Sequence, residues 1–205
     1  MGNIDVFERI ANNYDTPGRE KIAKITANSI LKKLSPQSSA QIAIDYGCGT
    51  GLVGMNLLDA FNTVIFADAS QNMINIVKKK LEESSHLNAK TVCLDAENQS
   101  IQTVKLEANT IFMVQVLLHV KDITLLLNNL SETLPPKGQL IIVDFDYNEQ
   151  VISDKVHNGF KEDKLTQTLH ESGFENINRE TFYHGKNMFM NKDASLFILT
   201  ATKIG

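Results

Sequence analysis

The chain is short of cysteine, of proline, of long apolar runs and of basic charge, and each shortage narrows what it can be. Two cysteines, Cys48 and Cys93, stand among 205 residues with no C-x-x-C and no paired Cys/His spacing. That pattern argues against a disulfide framework and against a zinc site. The opening MGNIDVFERI holds no apolar stretch of the length a signal peptide or membrane anchor needs, so a cytoplasmic protein with no membrane partner is expected. Val6 and Phe7 occupy the places where a myristoylation signal wants Ser or Thr. The formal net charge of -4 offers no electrostatic attraction for nucleic acid, and none is expected as a partner. The run Lys78-Lys79-Lys80 reads as a solvated helix face. The four prolines and eleven glycines are scattered, with no linker, repeat or low-complexity block. One domain with a substantial core is expected.

What is present is an alternation of short apolar runs and amphipathic segments. YDTPGREKIAKITANSILKKL reads as a turn and then a helix, with Pro17 in its first turn and Ala27, Ile30, Leu31 and Leu34 as its buried stripe. AQIAIDY is a first strand, LVGMNLLDAF a helix and NTVIFAD a second strand. SQNMINIVKKKLEES is a helix capped by Ser70, with Met73, Ile76, Val77 and Leu81 on one face. AKTVCLD, NTIFMVQV and KGQLIIVDFD supply three more strands, with the helix ITLLLNNLSETL before the last of them. The helix EDKLTQTLHESGF and two final strands, ENINRETFYH and SLFILTATK, complete the chain. Such alternation predicts an α/β, doubly wound, mostly parallel sheet of seven strands. The last two strands have no helix between them, so a hairpin makes one strand near the C-terminus antiparallel.

The chemistry concentrates in AIDYGCGTGLVG, Ala43 to Gly54. Gly49-x-Gly51-x-x-Gly54 fits a dinucleotide fingerprint, while Gly47-x-Gly49-x-Gly51 behind Asp45 fits an S-adenosylmethionine pattern. Asp45 separates the two. An unpaired carboxylate there repels a pyrophosphate but suits a ligand carrying a sulfonium and an ammonium. Asp68, at the end of the second strand, is placed to accept ribose hydroxyls, a feature common to both cofactors. Asp95, at the end of the third, can accept from an adenine amino group, with the Ala96 N–H beside it. Three successive strands ending in Asp at one sheet edge form a constellation more specific than any single motif.

With AIDYGCGTG, VIFADASQNMI, TVCLDAEN and NTIFMVQVLLHVKD in this order, the chain resembles a class I S-adenosylmethionine-dependent methyltransferase. Among these it is most similar to small bacterial members resembling the ubiquinone/menaquinone-biosynthesis enzymes. The resemblance implies a Rossmann-like fold, residues 1–205 as a single S-adenosylmethionine-binding domain, and residues 1–36 as its N-terminal helical cover. It implies that Asp45, Gly47, Gly49 and Gly51 line the methionine end, and that Asp68 and Ala69 meet the ribose. Met73 then packs near adenine, Asp95 and Ala96 hold the adenine edge, and the backbone at Met113 and Val114 approaches the sulfonium. Tyr14 matches the residue that closes over the cofactor in such proteins. Asn109, Met113 and Val114 depart from the polar residues common in the fourth motif, leaving Gln115 as the polar group at that strand's end.

Methyl transfer from a sulfonium needs alignment and exclusion of water, and a general base only for a poorly ionised acceptor. His119, in LLHVKD, and His157, in KVHNGF, are the candidate bases, each with a structural role as its alternative. Asp144 and Asp146, in VDFDYN, lie near the same rim, and Tyr183 and His184, after the sixth strand, are weak candidates. No metal is expected, because Met113, Val114 and Leu117 cannot supply a carboxylate cluster. A small-molecule methyl acceptor is the favoured partner. Methylation of a protein or RNA, and a non-catalytic S-adenosylmethionine-binding protein, are the alternatives.

Overall fold

The computed structural model describes residues 4–35, 41–84, 86–94 and 107–205. A short helix α1 (Ile4–Ile10) is followed by α2 (Pro17–Leu31). Thr16 caps α2 by accepting from the Arg19 N–H at 3.3 Å, and Pro17 occupies its first turn. The buried face of α2 is Ala23, Thr26, Ala27 and Ile30. Leu31, expected in that stripe, is 41% exposed, because the helix turns its small residues, not its last leucine, to the sheet.

Five parallel strands follow: β1 (Ile42–Tyr46), β2 (Thr63–Asp68), β3 (Ala89–Cys93), β4 (Thr110–Val114) and β5 (Gln139–Phe145). Helix α3 (Gln71–Glu82) links β2 to β3, α4 (Ile123–Thr133) precedes β5, and α5 (Glu162–Glu171) follows it. Ser70 caps α3 as expected, accepting from the Met73 N–H at 3.2 Å. The chain closes with β6 (Phe174–Phe189) and β7 (Lys192–Lys203). The sheet order is β3-β2-β1-β4-β5-β7-β6, and β7 runs antiparallel to both of its neighbours. This is a seven-stranded mixed sheet with helices, in accord with the sequence. The central strands β1, β2, β4 and β5 are almost wholly buried, as strands covered on both faces must be.

Two elements differ from expectation. The segment after the glycines is a 3₁₀ helix, Gly54–Ala60, and not an α-helix. Gly51 and Gly54 weaken any helix there, and the Gly54 N–H bonds to the Asp45 side chain and not to a preceding carbonyl. Asn88 then ties off its far end, its amide donating to the Leu58 and Phe61 carbonyls. The final hairpin is also longer than its apolar pattern suggested. β6 continues past His184 through GKNMF, absorbing irregularities at Asn176 and Asn187, whose φ values are 52° and 53°. Met190 and Asn191, both at positive φ, make the two-residue turn. The extension stacks Phe189 on Phe145, rings 4.3 Å apart, at the carboxyl end of β5.

Candidate functional site

The strand order reverses between β1 and β4, so a crevice opens beyond their carboxyl ends, where ligands of open α/β sheets bind. The glycine loop crosses this place. Gly47 has φ 69°, and a Cβ there would lie 2.6 Å from a Val116 methyl. Only glycine lets the loop after β1 pass that close to the loop after β4.

The loop's N–H groups point inward. Gly47 and Cys48 both donate to the Ala67 carbonyl, at 2.8 and 3.1 Å, and Gly51 donates to the Cys48 carbonyl at 2.9 Å. Gly49 donates to Asp68 Oδ2 at 2.8 Å, and Gly54 to Asp45 Oδ2 at 3.1 Å. A pyrophosphate needs free N–H donors at this turn, and these five are already engaged. Two of them are held by carboxylates, Asp45 of β1 and Asp68 of β2.

Those carboxylates are poor places for negative charge. Asp45 is 3% exposed, and burial raises its pKa to about 8, against the Gly54 hydrogen bond and with a further push from Asp68. Burial also raises Asp68, opposed by the N–H groups of Ser70, Gly49 and Ala69. Ser70 N–H donates to Asp68 Oδ1 at 2.8 Å, so each oxygen of Asp68 accepts one backbone bond. A cation beside the pair would relieve both burial penalties.

The N-terminal segment lies over this loop. The position a Gly49 Cβ would take is 4.0 Å from Tyr14 Cε1. Arg19 stacks on the Tyr14 ring at 4.1 Å and donates to its carbonyl at 2.7 Å. Burial pushes the Tyr14 phenol up, against the pull of Arg19. Asp15 accepts from the Thr50 hydroxyl and pairs with Lys80 at 2.7 Å, while Lys80 also donates to the Thr50 carbonyl at 2.7 Å. Lys80 is therefore not on the solvated face expected of it; only Lys78 and Lys79 are exposed. Asn72 ties α3 to α1, its side chain donating to the Glu8 carbonyl at 3.0 Å. Apart from Arg19 with Tyr14, these contacts join residues thirty or more positions apart, and nothing local marks them.

Ala69 is half-buried after β2, and Met73 is buried under the start of α3. Met113 is buried at the end of β4, with Val114 half-buried beside it. Gln115 has φ 56°, and its N–H donates to the Val143 carbonyl at 2.7 Å. Asp95 and Ala96 lie outside the described residues.

The segments that carry the two histidines are bonded to each other. His119 ends a 3₁₀ turn, Leu117–His119, with the Phe7 ring of α1 edge-on at 5.2 Å. Burial lowers its pKa to about 4, so it is neutral at pH 7. His157 donates its backbone N–H to the Leu118 carbonyl at 2.8 Å, and its Nε2 lies 2.7 Å from the Val120 carbonyl. A carbonyl only accepts, so Nε2 carries the proton and Nδ1 of the neutral ring is the basic nitrogen. Asp144 lies behind them, fully buried, accepting from the Leu118 N–H at 3.2 Å and the Phe145 N–H at 2.8 Å. Burial raises its pKa to about 7. His184 faces across the hairpin, with Nδ1 2.7 Å from Ser195 Oγ.

A family model described as a methyltransferase domain matches residues 19–179. The chain belongs to the methyltransferase domain family. S-adenosylmethionine is the cofactor of this class, and the inward-turned glycine loop with its two carboxylates fits that cationic ligand. The chain is 26% identical over 145 residues to a ubiquinone biosynthesis O-methyltransferase of Rickettsia akari, covering 66% of this chain and 56% of that protein. An uncharacterized methyltransferase of Schizosaccharomyces pombe is 23% identical over 146 residues, covering 67% of this chain and 50% of the other. The chain thus spans about half the length of these curated relatives. The fold is similar to that of an S-adenosylmethionine-dependent methyltransferase from Aquifex aeolicus, with TM-score 0.71 at 16% identity, covering 96% of this chain and 98% of the other.

Proposed function

We propose that this methyltransferase domain moves a methyl group from S-adenosylmethionine to a small-molecule acceptor. The observation that carries the reading is the glycine loop, whose N–H groups are engaged internally, two of them by the buried Asp45 and the half-buried Asp68. The similarity to a ubiquinone biosynthesis O-methyltransferase supports a small organic acceptor.

The sulfonium of the bound cofactor makes its methyl group open to in-line displacement by the acceptor. Asp45, with Gly47, Gly49 and Gly51 around it, holds the charged methionine end. Asp68 and Ala69 take the ribose hydroxyls, and Met73 gives adenine an apolar floor. Asp95 and Ala96 complete the adenine edge in this reading, on the strength of their motif alone. The backbone at Met113 and Val114 borders the sulfonium side, and Tyr14 covers the glycine loop. Residues 1–205 act as one unit, with residues 1–36 as its cover. The acceptor lies between α1, the Leu117–His119 turn and the loop 147–159. His157, through Nδ1, is the better placed proton acceptor. His119, held neutral under Phe7, serves as a weak base or a polar wall.

The test is to incubate the full chain with S-adenosylmethionine and a panel of phenols, amines and carbon acids, following S-adenosylhomocysteine and methylated product by mass spectrometry. Acceptor-dependent formation of both supports the proposal. Tight cofactor binding with no turnover on small molecules, but with turnover on protein or RNA, overturns the acceptor class.

A further inference from the structure

The loop 147–159 leaves and rejoins the sheet at a narrow neck. Asp146 and Phe160 form a parallel bridge, Tyr147 N–H donates to the Phe160 carbonyl at 3.2 Å, and Phe160 N–H to the Phe145 carbonyl at 3.0 Å. Gly159, at φ 88°, passes so close to the Asp146 carbonyl that no side chain fits between them. Arg179 reaches this neck from β6. Its Nη2 donates to Asp146 Oδ1 at 2.6 Å and to the Phe160 carbonyl at 2.9 Å, one partner on each side. Thr181 Oγ1 donates to the other oxygen of Asp146 at 2.8 Å. The guanidinium lies 3.7 Å over the Phe197 ring, and its side chain is 5% exposed.

Burying a guanidinium carries a large desolvation cost, and an apolar side chain could cover Phe197 without it. Among the described residues Nη1 is buried with no acceptor, so the charge is not there to satisfy a full hydrogen-bond network. What Arg179 does that an apolar residue cannot is bond both ends of one loop at once. That loop carries His157, which is fastened in turn to the Leu118 and Val120 carbonyls of the segment bearing His119. A splayed neck would therefore move both histidines.

We propose that Arg179 is a positioning residue, clamping the neck of loop 147–159 and so fixing His157 and the acceptor side of the site. What the loop faces rests on the methyl-transfer reading; the clamp itself does not.

The experiment compares the full chain with Arg179→Met, Arg179→Lys and Asp146→Asn. Hydrogen–deuterium exchange over 146–160 is read beside global unfolding and S-adenosylhomocysteine affinity. Arg179→Met loses both bonds across the neck and is expected to exchange at least about tenfold faster in this segment, with cofactor affinity unchanged. Arg179→Lys should recover part of the protection, because an ammonium reaches one side of the neck. Should Arg179→Met fail to fold, Asp146→Asn must show a smaller acceleration confined to the same segment. With an acceptor in hand, its KM should rise while that of S-adenosylmethionine stays. Unchanged exchange at 146–160 in the folded variants, or faster exchange spread evenly over the sheet, overturns the clamp. Failure of methyl transfer with the local exchange effect intact would overturn the functional reading alone.

Discussion

Asp45 and Asp68 end neighbouring strands, and burial makes both reluctant to ionise without a cation nearby. The sign of the consequence follows from linkage. With its pKa near 8 in the unliganded protein, Asp45 is largely protonated at pH 6, and a cationic ligand binds the ionised form better. Affinity for S-adenosylmethionine should therefore rise from pH 6 to 8, by at most about tenfold per unit, and then level off. Titration calorimetry in that window checks it, and Asp45→Asn should remove the slope. A second expectation concerns Asp68→Ala, which should weaken cofactor binding by about 1.5–3 kcal/mol, the range for hydrogen bonds to a charged group. Unchanged affinity in the folded variant would contradict the ribose assignment. His157→Ala should leave cofactor affinity intact and lower turnover, which steady-state kinetics with an identified acceptor would read.

At the scale of elements, the glycine loop is the most constrained piece. Gly47→Ala would place a methyl against Val116 at a φ of 69°, so a loss of about 1–3 kcal/mol of stability is expected from overpacking and backbone strain. Denaturant unfolding measures this, and a neutral result would mean the two loops separate easily. The glycines and the two acids Asp45 and Asp68 could be read from the sequence because each sits at a strand end marked by its own apolar run. The 3₁₀ turn at Gly54–Ala60 could not, because its geometry depends on a side-chain bond from Asp45, nine residues back. Lys80 was hidden inside a basic run, and its inward turn depends on Asp15 and Thr50. The extension of β6 has a polar sequence, GKNMF, and becomes a strand through pairing with β7 and the stacking of Phe189 on Phe145. Arg179 carries no motif at all; only the fold brings it to Asp146 and Phe160.

For the molecule as a whole, the order β3-β2-β1-β4-β5-β7-β6 gathers the loops after β1, β2, β4 and β5 at one edge, and with them every described site residue. The mostly parallel sheet with an antiparallel strand near its C-terminus was legible because helical segments follow β1, β2 and β4 and none separates the last two strands; the strand order itself was not. The sheet also holds two buried acids, Asp45 and Asp144, with pKa values raised from 3.8 to about 8 and about 7. A raised folded-state pKa gives stability that is full below the unfolded value and lost as pH rises through the folded one. The unliganded protein should therefore lose stability between pH 5 and 8, reversing the usual trend for paired acids, and Asp144→Asn should flatten part of that loss. Urea unfolding at pH 5, 6.5 and 8 is the check. The central claim, that this edge is built for S-adenosylmethionine, meets its most direct test in thermal unfolding with S-adenosylmethionine, S-adenosylhomocysteine and NAD in parallel, because a ligand of the folded state raises its apparent stability. A higher midpoint is expected with both adenosyl compounds and no shift with NAD. A shift with NAD alone would contradict it, and would mean that Gly49-x-Gly51-x-x-Gly54 opens to receive a pyrophosphate after all.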